Sequence, residues 1–332
     1  MSETFRALVL NQEDKSVSAE FKDLTTDDLP EGDVLVRVKW STLNYKDGMV
    51  LNGLGRLVRT YPHVPGVDFS GEVVSSSDDR YKAGDEVVLT GWRVGEAHWG
   101  GYGQLARVKA DWLVPLPDGL DASQAMAIGT AGFTSMLAVM ALEAQGVSPD
   151  QDGEVLVTGA AGGVGSVAVS ILSSLGYRVA ASTGRAETHA YLRDLGASTI
   201  IDRNELTDTS KPLLKERWVG AIDSVGSSTL AHVLSEMKYR GTVAACGLAG
   251  GPDLPGTVIP FLLRGVRLIG IDSVMCPYET RVEAWKRLAG ELPKEQLVSA
   301  TTKVALSDIL PWGQKILKGQ VQGRLLVDVQ DC

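Results

Sequence analysis

A glycine-rich segment near the middle of the chain has the residue types of a phosphate-binding loop. Residues 159–165 read Gly-Ala-Ala-Gly-Gly-Val-Gly, directly after the apolar run 155–157 and at the start of the apolar run 164–175. Glycines let backbone N–H groups approach a pyrophosphate, and the first turn of a helix adds a favourable dipole. An isolated glycine triplet would indicate only a tight turn, whereas a strand before it and a helix after it are the context of a dinucleotide site. The pattern therefore predicts a cofactor site that contains Ala160, Ala161, Gly162, Gly163, Val164 and Gly165.

The residues that follow the next predicted strand favour NADPH as the dinucleotide. Ser182, Thr183 and Arg185 come directly after this strand, and the first carboxylate that follows them is Glu187. A site that prefers NAD usually has a carboxylate at the strand end, bonded to the ribose 2′-hydroxyl. Hydroxyls and a guanidinium instead suit a 2′-phosphate, which arginine binds through two parallel charged hydrogen bonds. Arg203, after the following strand, is a second candidate for this phosphate, and for either arginine the alternative is a solvated surface position.

The sequence lacks the ligands of a zinc site. Catalytic zinc needs about three Cys, His or carboxylate ligands, and structural zinc usually takes a set of cysteines. The three cysteines, Cys246, Cys276 and Cys332, are far apart, and the four histidines are scattered along the chain. We therefore expect no metal. The odd number and wide spacing of the cysteines indicate a reducing compartment rather than a disulfide framework.

The composition argues against several classes of protein. The 332 residues carry a formal net charge of -9 and no run of Lys and Arg, which does not suit a nucleic-acid-binding protein. One uncharged window, residues 122–142, is long enough to cross a membrane, but its Gly, Thr and Ser residues dilute it. We expect a buried helix and its approach loop at a domain junction instead. Because the chain starts without a signal-peptide pattern, we expect a soluble, cytoplasmic protein that binds neither nucleic acid nor membranes.

The order of the predicted elements divides the chain into two domains. Residues 1–120 read as short strands separated by glycine and proline turns. From residue 125 onward, short apolar runs alternate with helical patterns, which predicts an α/β domain with a doubly wound parallel sheet. After residue 274, one helix and two strands are predicted, too few for a further domain, and they rejoin the first. The predicted strands are 5–10, 34–38, 69–74, 86–89, 154–158, 177–181, 198–201, 218–223, 241–245 and 266–271, and the predicted helices are 164–175, 187–195 and 281–292.

Short motifs along the whole chain are typical of one enzyme family. Three of them read Asn-Tyr-Lys-Asp at 44–47, Pro-Gly-Val-Asp-Phe-Ser-Gly at 65–71 and Gly-Thr-Ala-Gly-Phe-Thr at 129–134. With these motifs the chain resembles the zinc-independent, quinone-oxidoreductase-like branch of the medium-chain dehydrogenase/reductases, whose zinc-dependent relatives have Gly-His-Glu in place of the 65–71 motif. Four further motifs resemble the bacterial acrylyl-CoA reductases within that branch, and they lie at 89–92, 98–101, 243–251 and 270–275.

The resemblance implies an architecture and a reaction. A Rossmann domain at residues 128–273 would bind NADPH, and a mainly β, GroES-like substrate domain would combine residues 1–127 and 274–332. The family reduces acryloyl-CoA to propanoyl-CoA with NADPH. The implied reaction transfers a hydride to the β-carbon of the enoyl thioester and a proton to its α-carbon, without zinc. Such catalysis needs donors aimed at the negative charge that develops on the thioester oxygen.

Tyr45 is the catalytic residue that the resemblance implies. It should lie near the nicotinamide, where its hydroxyl would bond the cofactor or the substrate, or relay a proton. The alternative is that Tyr45 only packs there and holds the cofactor. Asn44 is a candidate for substrate binding, although Asn44 and Asp47 are also typical of residues that hold a turn through backbone bonds.

The resemblance implies further contacts to cofactor and substrate. Arg56 and Arg59, in a glycine-containing segment, are candidates for the phosphates of coenzyme A, with ordinary surface positions as the alternative. The implied additional cofactor contacts are Leu248, Ser273, Gln320 and Arg324. For Gln320 and Arg324 the alternative is an ordinary surface position.

Other functions remain open at this stage. The same cofactor motifs would serve an NADPH-dependent quinone or enone oxidoreductase. A second alternative is a non-catalytic NADPH-binding protein, because a fold does not fix a function. The predicted strand 266–271 is a candidate sheet edge that could pair across a twofold axis, so we expect a homodimer.

Overall fold

The change near residue 131 from strands punctuated by glycine to alternating strands and helices divides the chain into two units. A computed structural model describes residues 2–14 and 16–332, so Met1 and Lys15, which fall within the predicted first domain, lie outside the described residues. The first unit comprises Met1–Thr130, Ser273–Ala289 and Leu297–Cys332, and the second comprises Ala131–Asp272 and Gly290–Gln296.

The secondary-structure elements are numbered in chain order. The strands are β1 (Thr4–Glu13), β2 (Ser16–Thr25), β3 (Val34–Thr42), β4 (Asp68–Ser76), β5 (Glu86–Thr90), β6 (Leu105–Val108), β7 (Leu113–Pro115), β8 (Glu154–Val157), β9 (Val179–Thr183), β10 (Thr199–Asp202), β11 (Trp218–Asp223), β12 (Met237–Ala245), β13 (Arg267–Gly270), β14 (Thr301–Ala305) and β15 (Arg324–Asp328). The α-helices are α1 (Tyr45–Leu51), α2 (Ala122–Ala144), α3 (Gly163–Ser174), α4 (His189–Asp194), α5 (Ser227–Glu236), α6 (Ile259–Arg264), α7 (Tyr278–Glu291), α8 (Lys294–Ser299) and α9 (Ile309–Leu317). Short 3-10 turns are Ala110–Trp112, Ala186–Thr188, Arg203–Leu206 and Leu306–Asp308.

The second unit contains a parallel sheet, which the described residues build from six strands in the order β10-β9-β8-β11-β12-β13. In order of sequence within the unit this is 3-2-1-4-5-6, the doubly wound Rossmann arrangement. Strands with both faces covered read as continuous apolar runs, and every residue of β9 is buried. The strand order reverses between β8 and β11, and ligands of such sheets bind outside the carboxyl ends of the strands at this point. The predicted fold class is therefore confirmed for this unit.

The first unit is mainly β. Among the described residues, a seven-stranded sheet has the order β14-β15-β3-β4-β5-β7, with β6 paired to β3, and β1 and β2 form a separate antiparallel pair. Strand β3 shows the expected alternation, because Val34, Val36 and Val38 are buried while Arg37 is exposed. These valines join one hydrophobic core with residues of β1, β4, β5 and β15.

The prediction of a single helix after residue 274 was wrong. Residues 274–332, all of which are described, contain three α-helices, α7, α8 and α9. Helix α9 was missed because Pro311 and Gly313 read as helix breakers, although proline is tolerated in the first turn of a helix. The segment at Tyr45 was also expected to be a loop, and it begins the short helix α1 instead.

Two glycines allow α1 and α9 to approach closely. A Cβ added to Gly48 would lie 2.7 Å from Cγ2 of Ile316 and 3.0 Å from the carbonyl oxygen of Gly313. A Cβ on Gly313 would in turn lie 2.9 Å from Cδ1 of Leu51. The missed helix therefore packs against the helix that carries Tyr45, and larger residues at either glycine would displace it.

Helix α2 has the length and composition of a membrane span, yet it is mostly buried in the protein. Its most apolar window has a mean hydropathy of 1.7, and 83% of that window is buried, as in the core helix of a folded domain. The expected buried helix is confirmed. The helix is interrupted at Gly129, whose φ of 52° favours glycine. A Cβ there would also lie 2.6 Å from Nη2 of Arg324 and 3.0 Å from Oδ2 of Asp68.

Arg281 of α7 is fully buried and bonds the returning segment, Ser273–Ala289, where the chain re-enters the first unit, to the end of β5. Its Nη1 donates to the carbonyl oxygen of Thr90 at 2.6 Å and to the Thr90 hydroxyl at 2.9 Å. Its Nη2 donates to the carbonyl oxygens of Ser273, Val274 and Cys276 at 3.4, 3.3 and 3.4 Å. One guanidinium thus satisfies carbonyl groups from two distant parts of the chain, which would be costly to leave unpaired in the interior.

The turn after β5 is shaped to receive this segment. Gly91, Trp92 and Arg93 have successive φ values of 83°, 56° and 59°. This left-handed conformation is unfavourable for residues other than glycine. The Trp92 N–H donates to the Val274 carbonyl oxygen at 2.8 Å, and the guanidinium of Arg281 lies 4.9 Å from the Trp92 ring centroid. The bonds to Arg281 and Val274 therefore hold a backbone conformation that is unfavourable by itself.

We expect Arg281→Met to lower the free energy of unfolding by about 3 kcal/mol, because the carbonyl groups that accept from Arg281 would stay buried without a donor. The matched control is Arg37→Met on the surface of β3, where an ion pair with Glu3 is exposed and the loss should be about 1 kcal/mol or less. Urea and thermal unfolding, followed by circular dichroism, measure both variants. Equal stability of the two variants would contradict the assigned role.

Candidate active site

The predicted glycine-rich turn lies between β8 and α3 in the second unit. Strand β8 ends at Val157 and α3 begins at Gly163, with Gly162 as its N-cap. Gly159 has a φ of 59°, and a Cβ added to Gly165 would lie 2.5 Å from Cα of Ala160. The turn is therefore so tight that it requires glycine at both positions. The first N–H groups of α3 have no acceptor within the helix. Together with the backbone of the turn they form a cradle that fits a pyrophosphate.

A buried carboxylate joins the ends of the two strands at which the sheet order reverses. Asp223, the last residue of β11, accepts from the Thr158 hydroxyl at 2.6 Å and from the Gly226 N–H at 2.8 Å. The Ser224 hydroxyl donates to the Thr158 carbonyl oxygen at 3.0 Å. Burial raises the pKa of Asp223, and the hydrogen bonds from Thr158 and Gly226 oppose that shift. The sequence analysis missed this residue, for which a carboxylate at the end of a buried strand was the available signal.

The segment after β12 rests on this same strand end. The N–H groups of Cys246 and Gly250 donate to the carbonyl oxygens of Asp223 and Val225, at 2.8 and 2.7 Å. Burial raises the pKa of the Cys246 thiol to about 12. Leu248, a predicted cofactor contact, extends from this loop with 61% of its surface exposed. The structure thus places Leu248 beyond the carboxyl end of the sheet, where a ligand would bind.

The predicted 2′-phosphate residues lie together at the ends of β9 and β10. Ser182 and Thr183 are buried, and the Thr183 hydroxyl accepts from the Arg185 N–H at 3.2 Å. The Arg185 Nη2 donates to the Ala161 carbonyl oxygen of the glycine turn at 3.4 Å. Arg203 follows β10, whose last residue pairs with Thr183. Both candidate guanidinium groups therefore belong to adjacent strand ends, which suits one phosphate between them.

Tyr45 is the first residue of α1, in the first unit, and 45% of its surface is exposed. The start of this helix is fixed by Asp47, which accepts from the N–H groups of Asn44 and Val67 at 2.8 and 2.9 Å. The expectation that Asp47 holds this segment through backbone bonds is confirmed. Asp47 is fully buried, and its burial, together with the charge of Asp68, raises its pKa. The phenol of Tyr45 is thus presented on a firmly anchored helix end.

Asp68 is the centre of a buried polar cluster beneath this helix. It accepts from the Thr42 hydroxyl at 2.6 Å, the Asn44 side-chain amide at 3.0 Å and the Thr130 N–H at 2.7 Å. Asn44 also donates to Thr42, and its Oδ1 accepts from Arg324. The Asn44 side chain is therefore bonded within the protein, in the manner of a residue that fixes the Tyr45 segment.

Arg324 is 2% exposed, so the surface position considered for it was wrong. Its Nε donates to the Ala127 carbonyl oxygen at 2.9 Å and its Nη1 to Asn44 at 3.4 Å. Gln320, also predicted to contact the cofactor, is exposed after the end of α9, where its N–H donates to the Lys315 carbonyl oxygen. The two predicted C-terminal residues therefore lie in different environments.

The remaining predicted residues lie in the first unit. Arg56 and Arg59 are both exposed in the segment after α1, and Arg56 has a φ of 49°. Lys46 of α1 forms an ion pair of 2.9 Å with Glu96, which is buried. Ser273 is the first residue of the returning segment that Arg281 holds. Among residues 2–14 and 16–332, no group of three or more His, Cys, Asp and Glu side chains is arranged to hold a metal ion.

Comparisons with known proteins give the family. Residues 30–118 match the family described as alcohol dehydrogenase GroES-like domain, and residues 163–290 match the family described as zinc-binding dehydrogenase. The chain is 61% identical to acrylyl-CoA reductase AcuI of Ruegeria pomeroyi, over 98% of this chain and 99% of that protein. It is 55% identical to a probable acrylyl-CoA reductase AcuI of Escherichia coli, over 98% and 99% of the two chains.

A solved structure of similar sequence has the same fold. The crystal structure of the yhdH oxidoreductase from Salmonella enterica in complex with NADP superposes with a TM-score of 0.95 at 55% identity, covering 97% of this chain and 99% of that chain. The first unit accordingly has the GroES-like fold and the second the Rossmann fold, as predicted. The chain belongs to the acrylyl-CoA reductase family, in the quinone-oxidoreductase-like branch of the medium-chain dehydrogenase/reductases.

Proposed function

We propose that this protein reduces the activated C=C bond of acryloyl-CoA to propanoyl-CoA, with NADPH as the reductant. The observation that carries the proposal is the 61% identity to an acrylyl-CoA reductase over nearly the full length of both chains. The geometry of the second unit supports the choice of cofactor. A glycine cradle lies next to strand ends that carry hydroxyls and two arginines, and no carboxylate occupies residues 182–186.

Each unit has its own part in the proposed reaction. The second unit, predicted as residues 128–273, is the NADPH-binding domain, and in the structure it also includes Gly290–Gln296. The first unit, predicted as 1–127 and 274–332, is the substrate and catalytic domain. The support is that the pyrophosphate cradle belongs to the second unit, whereas Tyr45 and the exposed arginines belong to the first.

When bound, NADPH supplies a hydride to the β-carbon of the enoyl thioester. The residues of the chain must then stabilise the negative charge that develops on the thioester oxygen and help a proton reach the α-carbon. Tyr45 is suited to this task, because the residue is partly exposed and its helix is fixed by the bonds of Asp47. Its hydroxyl would donate a hydrogen bond to substrate or cofactor, or relay the proton.

Further contacts complete the proposed site. Arg56 and Arg59 would bind phosphates of coenzyme A, which is supported by their exposure in the segment that directly follows the Tyr45 helix. We retain Leu248, Ser273 and Gln320 as proposed cofactor contacts. Arg324 and Asn44 are proposed to act mainly by holding the Tyr45 segment in place, because their polar atoms bond to each other and to buried groups.

The function is tested by following the absorbance of the reduced nicotinamide with acryloyl-CoA as substrate. We expect oxidation of NADPH, and kcat/KM for NADH at least about tenfold lower, because the arginines then have no 2′-phosphate to bind. A simple quinone and a free enone are the parallel substrates. Turnover of the quinone or the enone without turnover of acryloyl-CoA would contradict the proposal, and binding of NADPH without turnover of any substrate would indicate a non-catalytic protein.

Tyr45→Phe tests the role of the hydroxyl. We expect kcat with acryloyl-CoA to fall by about 100-fold, the usual contribution of a positioned proton donor, while the Kd for NADPH changes little. Tyr239→Phe, at an exposed tyrosine of the second unit, is the matched control and should behave as the unmodified enzyme. If Tyr45→Phe retains its kcat, the residue only packs in the site.

We also propose that the protein is a homodimer. Strand β13 is an edge of the parallel sheet, and an edge presents backbone groups that can pair with a second copy. The preceding helix α6 exposes Leu262 and Leu263, which are 75% and 66% accessible. An apolar surface beside an open sheet edge is typical of an interface.

Light scattering and sedimentation over a range of concentrations measure the mass. We expect a dimer that Leu263→Glu weakens by about tenfold or more in Kd, because a charge would be buried in the interface. Val298→Glu, at an exposed residue of α8, serves as the control. A monomeric mass at every concentration would contradict the dimer.

The proposed location is the cytoplasm, as a soluble enzyme. The support is the odd number and wide spacing of Cys246, Cys276 and Cys332, which suit a reducing compartment rather than a disulfide framework. Nothing in the composition suggests a nucleic-acid or membrane partner, since the net charge is -9.

A further inference from the structure

Gly184 lies in the turn after β9 and is not required there by the backbone. Its φ is outside the left-handed region, so other residues could adopt the same conformation. The constraint comes from the side chain of Arg203. A Cβ added to Gly184 would lie 2.5 Å from Cδ and 2.8 Å from Cζ of Arg203, and closer still to Nε. Arg203 therefore occupies the space that a side chain at position 184 would need.

The sheet brings these two residues together. Strands β9 and β10 are parallel, and Thr183 pairs with Asp202, so Gly184 and Arg203 are the next residues on adjacent strands. Neighbouring strands lie about 4.8 Å apart, too close for the Arg203 side chain to cross a larger residue at position 184. The guanidinium thus lies beside the turn that contains Ser182, Thr183 and Arg185.

Arg203 and Arg185 differ in what holds them. Arg185 donates to the Ala161 carbonyl oxygen. The side chain of Arg203 makes no hydrogen bond or ion pair with any residue in the described ranges 2–14 and 16–332, and it is exposed. Its position is set by packing on Gly184, and its donors are available to an external anion. Charged, bidentate donors of this kind are suited to a phosphate.

We infer that Gly184 determines the preference for NADPH over NADH, because the absence of a side chain lets Arg203 lie across the turn toward the 2′-phosphate. The inference rests on the proposed NADPH-dependent function. Any side chain at position 184 would push away the end of a long, flexible arginine rather than a backbone segment. The variant should therefore keep its fold and lose the contact between the Arg203 guanidinium and the 2′-phosphate.

The experiment measures binding by calorimetry for Gly184→Ala, Arg203→Ala and the double variant in the full chain. The probes are NADPH and NADH, together with the fragments 2′,5′-ADP and 5′-AMP, and the two members of each pair differ only in the 2′-phosphate. We expect Gly184→Ala to weaken the binding of NADPH and 2′,5′-ADP by about tenfold and to leave the binding of NADH and 5′-AMP unchanged, as for the loss of one charged hydrogen-bonding group. The double variant should be no weaker than Arg203→Ala alone, because the two changes remove the same contact.

The matched control is Gly290→Ala, where an added Cβ meets no atom within 4 Å and binding should not change. Thermal unfolding should show that Gly184→Ala is as stable as the unmodified protein. If Arg203→Ala weakens NADPH but Gly184→Ala does not, the inference is overturned and the proposed cofactor site stands. If Arg203→Ala leaves NADPH binding unchanged, both the inference and the proposed role of Arg203 fail. Equal weakening of NADPH and NADH by Gly184→Ala would also overturn it.

Discussion

The hydrogen bonds of Asp68 connect three parts of the first unit that are far apart in sequence. A carboxylate that is fully removed from water needs several donors, and it receives them from Thr42, Asn44 and the backbone of Thr130. Asn44 immediately precedes the helix of Tyr45, and Thr130 follows the interruption of α2 at Gly129. The position of the candidate catalytic tyrosine is therefore coupled to the bend of a long helix through one buried charge. Moving either part would leave donors or acceptors without partners in the interior.

The second unit uses a buried carboxylate in a similar way. Asp223 bonds Thr158 and Gly226, and thereby joins the ends of two strands directly beside the glycine turn. In each unit a buried acid thus fixes backbone next to residues that are proposed to contact ligand, Tyr45 in the first unit and the glycine turn in the second. Such networks are costly when incomplete, and complete ones hold a unique geometry. This geometry is what a hydride transfer requires, because its reacting atoms must be placed within a fraction of an ångström.

The sequence predicted the features that depend on neighbouring residues. The glycine turn needs only a strand, a tight turn and a helix in succession, and so residues 159–165 could be recognised without a structure. The parallel sheet was predicted from the alternation of short apolar runs with helices, whereas the order of its strands was not. The burial of Arg324 could not be foreseen, because its partner Asn44 is 280 positions away in sequence. Helix α9 was hidden by Pro311 and Gly313, which disfavour helices in isolation; Pro311 is tolerated in the first turn, and Gly313 allows close packing against α1.

The burial of the cysteines has a consequence for a protein that is proposed to bind an α,β-unsaturated thioester. Such compounds are electrophiles that add to thiolates, and only the ionised form of a cysteine reacts at an appreciable rate. Burial raises the pKa of Cys246 to about 12, which disfavours its thiolate near neutral pH. Burial also raises the pKa of Cys332, and Cys276 is enclosed in the core. Burial of these thiols thus opposes covalent addition of the compound that the chain is proposed to reduce, and the nearby charge of Asp223 adds to this effect at Cys246.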